Sequence, residues 1–175
     1  MKKTAEVFTI GHSTRTLEEF VSLLKSYGVE KVVDVRTIPR SRHNPQFNMD
    51  TLAIFLRKKG IRYLHMKGLG GLRHALKDSL NNGWLNSSFR GFADYMQSEE
   101  FGENLENLME MTATKRVALM CAEAVPWHCH RSLIADALSV RGMKVIHIMS
   151  ATSSHAHEIT SFAKVRGKKI TYPAV

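Results

Sequence analysis

The densest run of chemically capable side chains is Cys121-Ala122-Glu123-Ala124-Val125-Pro126-Trp127-His128-Cys129-His130-Arg131. Two thiols, two imidazoles, a carboxylate and a guanidinium share one short segment. Three kinds of behaviour suit that set. In the first, Cys129 stands just before a helical pattern and is flanked by His128, His130 and Arg131. A helix N-terminus and neighbouring cations lower a thiol pKa and favour the nucleophilic thiolate. Cys121, closing an apolar run, is the second candidate nucleophile. In the next, Cys121, Cys129 and His130 supply donors that zinc accepts. Cys-x7-Cys is not a common structural zinc spacing, and no second Cys pair follows. In the last, the cysteines are small buried hydrophobes. Glu123 then anchors Arg131 or Arg36, and the loop shapes a site without reacting. The residues leave all three open.

Cations form the other concentration. Arg15, Arg36, Arg40, Arg42, Lys67, Arg73 and Arg131 lie in segments that follow apolar runs. Arginine's planar fork suits phosphate or carboxylate. The expected anion-binding set is His12, Ser13, Arg15, Arg36, Arg42 and Arg131, with His12 and Ser13 positioning the ligand. Glu123 and Asp34 are the acid–base candidates if chemistry occurs. Gly68-Leu69-Gly70-Gly71 has neither the order of a P-loop nor that of a dinucleotide fingerprint. His155-Ala156-His157-Glu158 offers donors, but histidines two apart point to different faces of a helix. Phe47, Trp84, Phe89 and Trp127 are potential stacking surfaces beside the basic loops.

These residues need a scaffold, and the hydrophobic pattern supplies one. Val7-Phe8-Thr9-Ile10 reads as a strand. Thr16-Leu17-Glu18-Glu19 matches a capping box, and Leu17, Phe20, Val21, Leu24 and Tyr27 follow at helical spacing up to Gly28. Lys31–Val35 is a β-branched strand, and Leu52, Phe55 and Leu56 mark a second helix capped by Asn48 or Asp50. Ile61–His65, Arg116–Met120 and Val145–Ile148 are three more strands. Helical pattern returns at 89–97, 104–111 and 133–138. Strands alternating with helices predict one α/β domain over 1–175: a mostly parallel sheet of about five strands with helices on both faces. The core is expected over about 5–150, and a basic tail over about 151–175. Right-handed crossovers put every post-strand loop on one edge, where ligands bind in open α/β sheets.

Four segments resemble the domain-of-unknown-function 488 family: Ile10-Gly11-His12-Ser13; Asp34-Val35-Arg36 with Pro39, Ser41 and Arg42; Gly70-Gly71; and Cys121-Ala122-Glu123 followed by Cys129-His130-Arg131. The likeness spans roughly residues 7–150. It implies the α/β fold and brings no activity with it. Residues 117–142 also loosely resemble a rhodanese active-site unit, from which they depart in the nine residues between Cys121 and Arg131.

Composition sets the outer bounds. The chain has 175 residues, 43% hydrophobic, with a formal net charge of +9. That charge favours nucleotides, nucleic acid or other anions as partners. No apolar h-region follows Met1-Lys2-Lys3, and no stretch approaches the ~18 apolar residues of a membrane span. Two cysteines fit reduced thiols and a cytoplasmic location. The leading expectation is a phosphate-bearing ligand, nucleotide or nucleic acid, held at the sheet edge. A thiol-dependent sulfur-transfer or redox enzyme using Cys129 or Cys121 is the alternative. A non-catalytic DNA- or RNA-binding module is a third. No cofactor is expected beyond the zinc option.

Overall fold

A computed structural model describes residues 5–175. Strand β1 (Glu6–Gly11) leads through helix α1 (Leu17–Ser26) to β2 (Lys31–Asp34). Helix α2 (Met49–Lys58) then leads to β3 (Arg62–His65). A long irregular segment precedes α3 (Ser87–Tyr95) and α4 (Glu99–Thr112), and β4 (Val117–Cys121), α5 (Arg131–Val140) and β5 (Lys144–Ile148) follow. Among the described residues, the sheet has six strands in the order β3-β2-β4-β1-β5-β6, where β6 is Ser154–Ala156. Every pair is parallel except β5–β6.

The alternation of side chains along buried strands decides which helices cover which face. Phe8, Ile10, Val32, Ala118 and Met120 pack with Phe20, Leu24, Leu52 and Leu56, so α1 and α2 cover one face. Val7, Val33, Val117, Leu119 and Cys121 pack with Phe92, Phe101, Leu105, Leu133 and Ile134, so α3, α4 and α5 cover the other. The expected cap of α1 is present: the Thr16 hydroxyl accepts from the Glu19 amide at 3.1 Å. Gly28, at φ 68°, takes the left-handed backbone that turns the chain out of that helix. Asn48 heads α2, but its side chain serves the preceding loop instead, accepting from the Ser41 amide at 2.8 Å.

Residues 151–175 are more than a solvated basic tail. They add β6 to the sheet and form a hairpin of β7 (Lys164–Arg166) and β8 (Lys169–Thr171). Ile170 and Tyr172 are buried in the main core. No helix among the described residues is long and apolar enough to cross a membrane.

The connections that follow β2 and β4 leave these neighbouring strands in opposite directions. From β2 the chain moves outward to β3 across the α1/α2 face. From β4 it moves over β1 to β5 across the α5 face. The adjacent ends of β2 and β4 therefore diverge, which is the geometry of a ligand crevice in an open α/β sheet.

Candidate functional site: a paired thiol at the end of β4

A cavity of about 330 Å³ opens at that divergence. Arg36, Thr37, Ile38 and Arg40 line it from the loop after β2, and Gly71 and Leu72 from the loop after β3. Cys121, Ala122, Glu123, Cys129 and His130 come from the loop after β4, and Ser88 and Phe89 from the first turn of α3. The loop singled out by its cysteines is thus the cavity's floor.

The two sulfurs lie 2.8 Å apart, both free thiols and both buried apart from the side open to the cavity. Cys121 closes β4, opposite Gly11 of β1. A single turn at Pro126–His128 brings the chain back so that Cys129 meets it. That return is possible because residue 11 is glycine: a Cβ there would lie within bonding range of the Glu123 backbone. Cys129 then stands before α5. The Arg131 amide, at the head of that helix, donates to its sulfur at 3.3 Å. The sulfur serves as the acceptor that a capping oxygen usually provides, and it feels the positive end of the helix dipole.

Imidazole and guanidinium complete the surroundings. His130 Nε2 lies 2.9 Å from the Val35 carbonyl and 3.0 Å from that of Leu69. Only an N–H satisfies two carbonyls, so the proton of the neutral ring is on Nε2. Nδ1 then faces the Cys129 sulfur, 3.6 Å away, as an acceptor for the thiol proton. Gly71 leaves room for this ring, since a Cβ there would sit 2.7 Å from Nδ1. Arg131 is fully buried. It donates from Nε to the Cys121 sulfur at 2.9 Å, from Nη1 to Thr9 Oγ1 at 2.9 Å, and from Nη2 to the Glu123 carbonyl. Among the described residues no carboxylate pairs with it. A buried cation needs an opposing charge, and the nearest group able to carry one is the thiol pair.

The pair therefore holds its protons unequally. The hydrogen bond from Cys121, then His130 and Arg131, draws the Cys129 thiol well below its ordinary pKa. Burial, then the adjoining Cys129, pushes Cys121 well above it. In the contact between them Cys121 is therefore the donor and the Cys129 sulfur the acceptor.

The expected anion set does not converge here. Arg36 grips Asp34 with Nε at 2.9 Å and Nη2 at 2.7 Å, and also binds the Phe47 carbonyl and His12 Nε2. Of its five N–H groups, one on Nη1 remains for a ligand. Asp34 is fully buried and accepts from Tyr63 as well, so it braces the cavity wall and does not face the cavity. His12 is buried, stacks on Phe47 at 4.3 Å and bonds the Ser13 carbonyl. Burial holds its pKa down to about 4. Ser13 carries a positive φ of 50° and shapes the turn after β1. Arg15 donates to the Gly11 and Met149 carbonyls. Arg42 is exposed and does not line the cavity. Arg73 stacks on Tyr95, its guanidinium 3.5 Å from the ring centre. Arg40, exposed at the rim, is the cation best placed for a ligand.

The zinc option fits poorly. Two thiolates on one tetrahedral zinc, each about 2.3 Å from the metal, stand about 3.8 Å apart, well beyond the observed gap. No group of three or more His, Cys, Asp or Glu among the described residues is arranged to hold a metal ion.

A family model described as domain of unknown function DUF488 matches residues 16–138. The chain belongs to this family. No curated protein and no solved structure matches it. The matched span of the DUF488 domain contains Asp34-Val35-Arg36, Gly70-Gly71 and both cysteine segments, hence most of the cavity. Ile10-Gly11-His12-Ser13, on β1, lies just before it.

Proposed function

We propose that this DUF488 protein is a thiol-dependent redox enzyme in which Cys129 is the nucleophile and Cys121 the resolving thiol. The observation that carries the reading is the contact between two free thiols on the floor of an open cavity. A helix N-terminus, His130 and Arg131 supply the charge stabilisation that a reactive thiolate requires.

The substrate class is a small disulfide bearing an acidic group. The acid would meet Arg40 and the remaining Arg36 N–H, while Ile38, Leu72 and Phe89 take apolar parts. The Cys129 thiolate attacks one substrate sulfur. A mixed disulfide forms, the substrate S–S bond breaks, and the first product leaves as a thiolate that solvent protonates. Cys121 gives up its proton and attacks the Cys129 sulfur. The second product leaves and takes that proton. The substrate gains two electrons, and the dithiol loses two on becoming a Cys121–Cys129 disulfide. A second thiol reductant restores the pair by the reverse exchange.

Substituting each thiol tests the order of attack. With an oxidised low-molecular-weight acidic disulfide, C121S should accumulate a mixed disulfide on Cys129, seen as one adduct by intact mass. C129S should form none, and the wild type should lose two hydrogens without an adduct. Adduct formation in C129S at the C121S rate would overturn the assignment.

The phosphate-ligand reading keeps Arg40 and one N–H of Arg36 as its support, and the basic surface favours anions generally. Arg15 is held by backbone carbonyls, Arg131 by Cys121, Thr9 and the Glu123 carbonyl, and Arg42 lies exposed away from the cavity. Anion recognition therefore enters here as the means of holding the substrate.

A further inference from the structure

Behind the thiols runs a chain of buried polar groups that the redox cycle does not itself use. Thr9, on β1, lies beside His147 of β5 in register, and both point to the α5 face. The Thr9 hydroxyl is 2.6 Å from His147 Nδ1. His147 Nε2 is 2.9 Å from His157 Nδ1. His157 Nε2 is 2.7 Å from Asp136 Oδ1, on α5. Asp136 is fully buried and also accepts from the Thr160 amide, the Thr160 hydroxyl and the Tyr172 hydroxyl.

Donor and acceptor roles run one way along this chain. Arg131 can only donate, so Thr9 accepts from it and turns its own proton toward His147 Nδ1. A neutral His147 then carries its proton on Nε2 and donates to His157 Nδ1. His157 carries its proton on Nε2 and donates to the carboxylate. Burial holds His147 neutral, with its pKa down to about 3. A buried cation and a buried anion thus terminate one polarised series, in which each bond strengthens the next.

We propose that Thr9, His147, His157 and Asp136 are positioning residues for the thiol pair, fixing the Arg131 guanidinium against Cys121 through this oriented chain. The inference rests on the thiol reading above and adds to it the device that aims the cation. Arg131 has three anchors besides its own backbone: the Cys121 sulfur, the Glu123 carbonyl and the Thr9 hydroxyl. The Thr9 anchor is the one that leads away from the thiols, to the Asp136 carboxylate. The far end of the chain is accessible, since His157 and Thr160 line a second cavity of about 590 Å³ beyond β5. The charged and titratable groups set around the sulfurs are Arg131 and His130 at the head of α5, Glu123 on the same loop, and Arg36 from the loop after β2. Those around His147 are His157, Arg131, His155 and Asp136.

The test is the pH dependence of Cys129 alkylation in the reduced, full-length protein, using iodoacetamide and peptide mass analysis. T9V removes the hydroxyl at nearly constant shape, and H157Q breaks the chain two links further away. T9S keeps the hydroxyl. Both breaking variants should raise the apparent pKa of Cys129 by about one unit, a tenfold loss of thiolate on the acid side, while T9S matches the wild type. Folding is checked by circular dichroism, and H157Q carries the test if T9V does not fold. Wild-type profiles in folded T9V and H157Q would overturn the relay and leave the thiol reading standing. A T9S profile displaced as far as that of T9V would also overturn it. A wild-type Cys129 that titrates at the ordinary ~8.5 would overturn both proposals together.

Discussion

His130 and Gly71 define the site at the smallest scale. The ring is useful to Cys129 only while Nε2 is held by two backbone carbonyls, which leaves Nδ1 aimed at the sulfur. Gly71→Ala would place a methyl group 2.7 Å from Nδ1 and displace the ring. The apparent pKa of Cys129 in a pH profile of alkylation should then rise by about one unit, a roughly tenfold loss of thiolate on the acid side of that profile, with little change in melting temperature. Gly102→Ala, in α4, meets nothing within 4 Å. It should leave alkylation alone and raise stability by about 0.5–1 kcal/mol through helix propensity. If both variants behaved alike in alkylation, the role of the ring would be wrong. The cysteines and His130 were legible in the sequence because unlike reactive groups crowded one loop. Where each arginine points was not legible, because Arg15 is held by backbone carbonyls, which no residue type advertises, and Arg36 by a carboxylate two residues away. Thr9, His147 and Asp136 left a fainter signal: each is a lone polar residue inside an apolar run.

At the scale of elements, the alternating pattern located all five helices and the five long strands, since each buries a face of its own. The C-terminal elements escaped because they do not. Strands β6, β7 and β8 are three residues each, too short to display a period. What fixes them is contact with distant residues. The Tyr172 amide donates to Asn81, its hydroxyl donates to Asp136, and its ring packs 5.5 Å from Trp84. Asn81 in turn donates to Asp94 of α3, which also holds the Leu76 amide and the Ser79 hydroxyl. One network thus ties the tail to the irregular segment before α3. Tyr172→Ala would remove a fully buried ring and leave Asp136 short of a donor. Urea unfolding should show a loss of about 3–5 kcal/mol, the usual cost of deleting a core aromatic. A loss below about 1 kcal/mol would mean that the segment is peripheral.

Over the whole molecule, strand alternation made the α/β class legible, while strand order was not, because order depends on which helix crosses which face. The order sets β4 between β1 and β2 and so gathers the loops after all three. The same packing makes stability depend on pH. His12 and His147 are buried and neutral, with pKa values lowered to about 4 and about 3 by burial. In the unfolded chain an imidazole takes up its proton near 6.5. Between these values the unfolded state binds more protons, so stability falls as pH falls. The contribution of these rings is fully present above about pH 6.5 and drains away toward pH 4. For His12 alone the loss across that window is on the order of 3 kcal/mol. Acidification also adds positive charge to a chain whose formal net charge is already +9, which acts in the same direction. The urea midpoint should therefore be clearly lower at pH 5 than at pH 7.5 with an unchanged slope, and His12→Gln should flatten the dependence. Equal midpoints at the two pH values would mean that the buried rings are protonated in the folded state. The one-way hydrogen bonding from Thr9 through His147 to Asp136 would then be lost with their neutrality.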